Sequence, residues 1–224
     1  MHLQGFAQLS LVAYYNNVGT SISGSTALGH LNVWGNSLAA DQLTGYENRL
    51  GEGKPGDGNE APREMKIHGV PFLLPPFGTG LPDNVRCGGQ YISVAPLPCD
   101  WIWLLAAAER RAQDEILIHY VDGSVDRQTL RVSDFWASSA AFGERLGLTS
   151  PVMHYPHHVQ QGVPGNIWLQ RIPVVRLTDL AGFRLPANVA VHIFAATLRE
   201  QEQALLGASA PPGPPAAGPA GGAR

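Results

Sequence analysis

Three histidines, His154, His157 and His158, fall within the stretch Met153-His154-Tyr155-Pro156-His157-His158. Imidazoles at i, i+3 and i+4 can gather a metal ion or supply a proton-transfer group if a helix aligns them and a further ligand joins. Pro156 interrupts any such helix, so the spacing does not encode convergence and no metal site is expected. The stretch reads as a solvated loop. The alternative is a ligand-facing loop in which Tyr155 offers a stacking surface.

A second group is Trp34 with Asn36, in a turn around Gly35. An exposed indole stacks on the apolar face of a pyranose while an amide bonds to its hydroxyls, so this pair suits sugar binding. The competing reading is that Trp34 closes the end of the core and Asn36 satisfies turn backbone. Ligand-binding candidates are therefore Trp34, Asn36, His154, Tyr155, His157 and His158. If the chain is an enzyme, the candidate acid and base groups are Glu109, Asp134 and His157, since burial can lift one carboxyl into a useful range. The plainer reading of Asp134, ahead of Phe135-Trp136, is a side chain that bonds turn backbone.

His119 and His192 lie inside strand-like runs and are expected to be satisfied by neighbours. Trp101, Trp103, Trp136 and Trp168 are expected in the core. Cys87 and Cys99 make neither a zinc site nor a disulfide scaffold, and two separate thiols are the simpler expectation. There is no phosphate-cradling glycine loop and no Gly-x-Ser-x-Gly elbow, so no cofactor is expected.

The elements that must hold these groups read as strands. Gly (26) and Pro (18) are abundant among 224 residues, which favours a turn-rich, all-β chain. Leu9–Tyr15 reads as one strand. Residues 66–74 read as an edge strand interrupted by Gly69 and Pro71. Residues 90–94 form a short strand, and Trp101–Ala108, a continuous apolar run, reads as a central strand buried on both faces. Residues 115–121 and 124–132 flank Asp122-Gly123, the strongest hairpin signal in the chain. Residues 166–175 and 189–198 are the last strands, giving eight or nine in all. Residues 44–65 and 137–165 read as long loops, and Arg199–Gln203 as a frayed helical turn. That pattern means an all-β antiparallel sandwich or barrel, one domain over residues 1–205. Residues 206–224, nearly all Ala, Pro and Gly, are a disordered tail.

The formal charge of −3, with 15 basic and 18 acidic residues and no run of Lys and Arg, excludes a nucleic-acid or anionic-membrane footprint. No apolar window is long enough to span a bilayer. The N-terminus lacks a secretory leader, so a cytoplasmic protein is expected, or a secreted one if a leader has been removed. Oligomeric state is not readable.

The collinear order of several short motifs adds a resemblance. These are Tyr15-Asn16-Asn17-Val18-Gly19, Trp34-Gly35-Asn36-Ser37, Gly69-Val70-Pro71-Phe72, Pro82-Asp83-Asn84-Val85, His119 to Ser124, Ser133-Asp134-Phe135-Trp136, Gln170-Arg171-Ile172-Pro173 and His192 to Ala195. Over residues 9–198 the chain resembles β-sandwich modules attached to actinobacterial glycoside hydrolases, which are similar to galactose-binding-like, jelly-roll carbohydrate-binding domains. The resemblance implies a non-catalytic module that binds a carbohydrate at loop ends or on a concave sheet face. The rival expectation is a stand-alone, cofactor-independent enzyme of specialised metabolism, a cyclase or isomerase, holding an apolar small molecule in a sandwich cleft.

Overall fold

Trp101–Ala108 has no polar residue to turn toward water, and the fold places it accordingly. In the computed structural model, which describes residues 5–45 and 62–201, this run is the body of a central strand. Fourteen strands are present among the described residues: β1 (Phe6–Leu9), β2 (Thr20–Ser21), β3 (Ser37–Ala39), β4 (Arg63–Ile67), β5 (Val70–Leu74), β6 (Val85–Arg86), β7 (Tyr91–Leu97), β8 (Cys99–Ala108), β9 (Ala112–Tyr120), β10 (Val125–Val132), β11 (Arg145–Tyr155), β12 (His158–Pro173), β13 (Leu180–Arg184) and β14 (Val191–Glu200). Eight of them form one sheet in the order β1-β14-β8-β12-β11-β3-β2, with β6 also on β14. Four form a second sheet, β10-β9-β13-β7. All pairs are antiparallel except β2 with β3. The chain is an antiparallel β-sandwich.

Alternation along β8 divides the interior into two layers. Ile102, Leu104, Ala106 and Ala108 pack against Ile116, Ile118 and Phe183 of the four-stranded sheet. Leu105 and Ala107 face the other way, against Phe72, Phe135 and Phe194 beneath the β4–β5 hairpin. Because both faces are covered, every residue from Leu104 to Ala108 is buried.

The Asp122-Gly123 hairpin forms as expected, with Gly123 at φ 82° and Asp122 Oδ1 accepting from the Ser124 amide and hydroxyl. The strands number fourteen among the described residues rather than the eight or nine expected, and the reading of four segments changes. Residues 66–74 are not one interrupted strand but the tip and second arm of a hairpin. His68 and Gly69 both take positive φ, 51° and 79°, as a two-residue turn of the strand-compatible hand requires. Residues 9–15 do not continue as a strand: β1 stops at Leu9, and Val12–Tyr14 is a single 3-10 turn. That turn lets Tyr15 donate from its hydroxyl to the Phe194 carbonyl, and lets Tyr14 accept from the Ser93 amide. Arg199 and Glu200 belong to β14 rather than to a helical turn.

The fourth change is the largest. Residues 145–165 are not loop but most of the long β11–β12 hairpin, which turns at Pro156-His157 between the paired Tyr155 and His158. Only residues 137–144 remain irregular. Register shifts at Leu146/Leu148 and Ser150/Val152 break the alternation that a strand would show in sequence, and Pro151 occupies the second of them. Most of the loop expected at 44–65, and the expected tail, lie outside the described residues. Among the described residues no helix is long and apolar enough to cross a membrane.

Candidate functional site

The hairpin changes the fate of the histidine group. His154 is a strand residue with no solvent exposure, and its Nδ1 lies 2.8 Å from Ser21 Oγ, which lies 2.6 Å from Ser37 Oγ. Burial lowers its pKa, with a smaller opposing influence from Asp41. A serine–histidine contact this deep has no route to a substrate, so it is structural. His157 and His158 are exposed at the turn, and His158 stacks on Tyr155 at 4.7 Å between ring centroids. The three imidazoles therefore do not converge.

Trp34 does reach solvent, with 57% of its surface exposed. Its turn is held by Asn32 Oδ1, which accepts from the Trp34 and Asn36 amides. Pro156 lies so close to Gly35 that an added Cβ would meet its Cγ at 2.7 Å, so Trp34 and the Tyr155–His158 pair occupy the same end of the sandwich. Asn36, however, is buried, and neither of its amide atoms has a partner among the described residues. The amide expected beside the indole is shut beneath the turn and cannot reach a sugar stacked on Trp34.

Glu109 and Asp134 are neighbours through the Ala108–Asp134 bridge. Asp134 Oδ1 accepts from the Trp136 amide, the turn-bonding role read from the sequence. Burial raises its pKa, with hydrogen bonds to Trp136 and the Arg110 charge pulling the other way. His157 is not with them. Trp168 donates to the Asp134 carbonyl, and Trp168 is ten residues along β12 from His158, about 30 Å at about 3.3 Å per residue. The acid–base trio is not assembled.

His119 and His192 are strand histidines, as expected, but Nε2 of each is buried with no hydrogen-bond partner among the described residues. His192 bonds Asn84 through Nδ1 at 2.8 Å, and burial pulls its pKa down to about 3. Cys87 and Cys99 are free, buried thiols. Among the described residues no group of three or more His, Cys, Asp or Glu side chains could hold a metal.

A site that the sequence did not single out lies at the free edge of β12. Pairing with β11 begins at Arg145–Leu169, so beyond Leu169 the β12 edge is open while its other edge stays paired with β8. A cleft of about 460 Å³ wraps this edge, within the usual range for small-molecule sites. Trp103, Leu169 and Arg171 line it on one face and Gln170 on the other. Thr129 and Arg131 of β10 and the segment Phe142–Arg145 complete it.

Three features give the cleft its chemistry. Trp103 Nε1 and Gln170 Nε2 are buried and have no hydrogen-bond partner among the described residues. Such orphaned donors cost about 1–3 kcal/mol each and are rare without a reason. Others occur in this chain, on Asn36 and His154 for example, but the side chains that carry these two both line one open cleft, with the donor atoms themselves enclosed. Second, three arginines, Arg131, Arg145 and Arg171, line the cleft with a single acidic residue, Glu144. The lack of a basic run in the sequence concealed this, because β10, β11 and β12 each contribute one. Third, the carboxylate is already engaged. Its two oxygens accept from the Ser133 amide and hydroxyl and from the Phe142 amide, which pins the segment forming one wall.

The arginines are held from behind. Arg131 donates to Gln113 Oε1 at 3.2 Å. Arg145 donates to His68 Nδ1 at 3.0 Å, while His68 Nε2 donates to the Leu146 carbonyl, which fixes the tautomer. Arg171 lies over the Trp101 ring at 4.3 Å and near the Trp103 ring at 5.7 Å. Each has donors left over.

A smaller, apolar cavity of about 250 Å³ lies between Val12, Tyr15, Pro62, Pro76, Leu81 and Pro82. Its one polar lining group, the Tyr15 hydroxyl, is spent on the Phe194 carbonyl. Behind it, burial has enclosed Asp83, which accepts from the Gly19 and Thr20 amides, the Thr20 hydroxyl and Asn84 Nδ2.

The fold defines a class: an all-β sandwich domain, here with an open cleft where β12 runs past the start of β11. Residues 6–202 match the model of the AziU2-like beta-sandwich domain, and the chain belongs to that family. A comparison with curated proteins finds no match. The match accords with the β-sandwich architecture.

Proposed function

We propose that the protein is a ligand-binding β-sandwich that holds a glycan or glycan-like small molecule in the cleft at the β12 edge. The observation that carries this reading is one cleft of about 460 Å³ lined by Trp103 and Gln170, whose Nε1 and Nε2 are unpartnered but enclosed, so that a ligand uses them only once a side chain has turned. A polyol supplies acceptor oxygens at close spacing, and an indole beside them supplies an apolar contact for the ring. The resemblance to carbohydrate-binding modules supports the same class of ligand. This reading puts the ligand away from the loop end, where Asn36 and His154 are enclosed while Trp34, Tyr155, His157 and His158 reach the surface.

The rival, an enzyme closing an apolar cleft on its substrate, has less support. The 250 Å³ cavity offers no free polar group, and Glu109, Asp134 and His157 do not meet.

The test is a calorimetric titration of a panel of neutral and acidic oligosaccharides at millimolar concentration, with the wild-type protein and Trp103→Phe. The substitution keeps an aromatic ring and removes the indole donor. Binding is expected in the wild type, about tenfold weaker in Trp103→Phe, as loss of one buried hydrogen bond implies. No binding of any sugar, or equal binding by the two proteins, contradicts the proposal.

A further inference from the structure

From the charge in the cleft we infer a narrower ligand class: a sugar bearing an oxyanion, as carboxylate, sulfate or phosphate. This rests on the cleft being the binding site. Arg131, Arg145 and Arg171 bring three positive charges to a surface whose single carboxylate, Glu144, already accepts three hydrogen bonds from its own loop. None of the three arginines has a carboxylate partner among the described residues. The partners they do have are neutral: Gln113, His68 and two indole rings.

Three exposed guanidinium groups lining one opening leave it with an excess of positive charge, which attracts an anion. The chain as a whole is acidic, with a formal charge of −3, so the local excess is not a by-product of composition. Each guanidinium presents planar paired donors that match the two oxygens of a carboxylate, sulfate or phosphate. The neutral backing groups orient the arginines without neutralising them. His68 positions Arg145 in this way: its Nε2 proton is committed to the Leu146 carbonyl, leaving Nδ1 to accept from the guanidinium. A bound anion meets the arginines while the sugar ring and hydroxyls meet Trp103 and Gln170.

The inference is tested by titrating the full-length protein with matched ligands. The probes are a galacturonate trisaccharide, a sulfated galactose trisaccharide, a hexose phosphate and the neutral galactose trisaccharide, with inorganic phosphate and acetate as bare anions. At least one charged sugar is expected to bind ten times or more tighter than the neutral one, with the advantage shrinking in 0.5 M salt. Arg131→Gln and Arg145→Gln are each expected to weaken that charged ligand about tenfold. Arg184→Gln, on β13 away from the cleft, is expected to change nothing. Thermal melts of the variants separate lost contacts from lost fold. Equal affinity for charged and neutral sugars overturns the inference and leaves the binding proposal standing. Bare phosphate or acetate binding as tightly as the charged sugars also overturns it, since the sugar then contributes nothing. Binding of no probe removes both.

Discussion

Replacing Asp83 with alanine is expected to destabilise the protein by about 3–5 kcal/mol, measured by urea unfolding at pH 5. That is the scale for leaving several buried donors without the acceptor they share. Asp83 is fully enclosed. Its Oδ1 accepts from the Gly19 amide at 2.6 Å and from Asn84 Nδ2 at 2.8 Å, and its Oδ2 from the Thr20 amide at 2.9 Å and the Thr20 hydroxyl. Thr20 Oγ1 in turn accepts from the Gly78 amide, and Asn84 Oδ1 bonds His192 on β14. One carboxyl thus ties β2 to the segments before and after it. Alanine leaves those donors buried without an acceptor. Asp83→Asn is expected to be milder but still costly, because the new amide nitrogen faces a donor on one side whichever way it turns.

The same group makes stability depend on pH with a definite sign. Burial pushes the Asp83 pKa up to about 6, against the pull of its four donors. A folded-state pKa above the unfolded value means the native state holds the proton longer. The stability this confers is fully present below about pH 4 and is lost as pH rises through about 6. The loss amounts to roughly 3 kcal/mol at most. In urea titrations the gap between wild type and Asp83→Ala is therefore expected to be larger at pH 4 than at pH 8. A gap that grows with pH contradicts this.

The second large effect is steric. Gly29→Ala is expected to cost about 3 kcal/mol or more, the upper range for overpacking a rigid site. The backbone there is ordinary, with φ −82°, so no conformational penalty is involved. The added Cβ would lie 1.9 Å from Ser37 Cβ and 2.2 Å from its Oγ. Ser37 cannot yield easily, because it belongs to β3 and its hydroxyl joins the chain through Ser21 to His154. Ser37→Gly in the same background is expected to restore much of the loss, a coupling that a double-mutant cycle measures. Gly24→Ala, where nothing lies within 4 Å, is the control and should be nearly neutral.

What the sequence conveyed was local. Asp122-Gly123 fixes its hairpin by turn chemistry alone, and the run to Ala108 announces a strand buried on two faces. The β11–β12 hairpin was hidden because Gly147, Pro151 and two register shifts erase its period of two, and because its turn, Pro156-His157, carries no glycine. Misreading it as loop placed His154 in solvent when it lies in the core. The binding cleft had no local signal at all. Its arginines come from three strands, and its key donors, on Trp103 and Gln170, look like ordinary strand residues until the neighbouring strand stops at Arg145. Asp83 was present in a motif of the resemblance, but only burial shows its role.

The indole signals in a nitrogen–proton correlation spectrum report where the ligand sits. The chain has five tryptophans, and the Trp103 signal is assigned by its loss in Trp103→Phe. On titration with the tightest-binding sugar, the Trp103 indole proton is predicted to shift further than any other, as its unpartnered donor gains an acceptor. A Trp103 signal that stays fixed at saturation while that of Trp34 moves would put the ligand at the loop end and contradict the assignment.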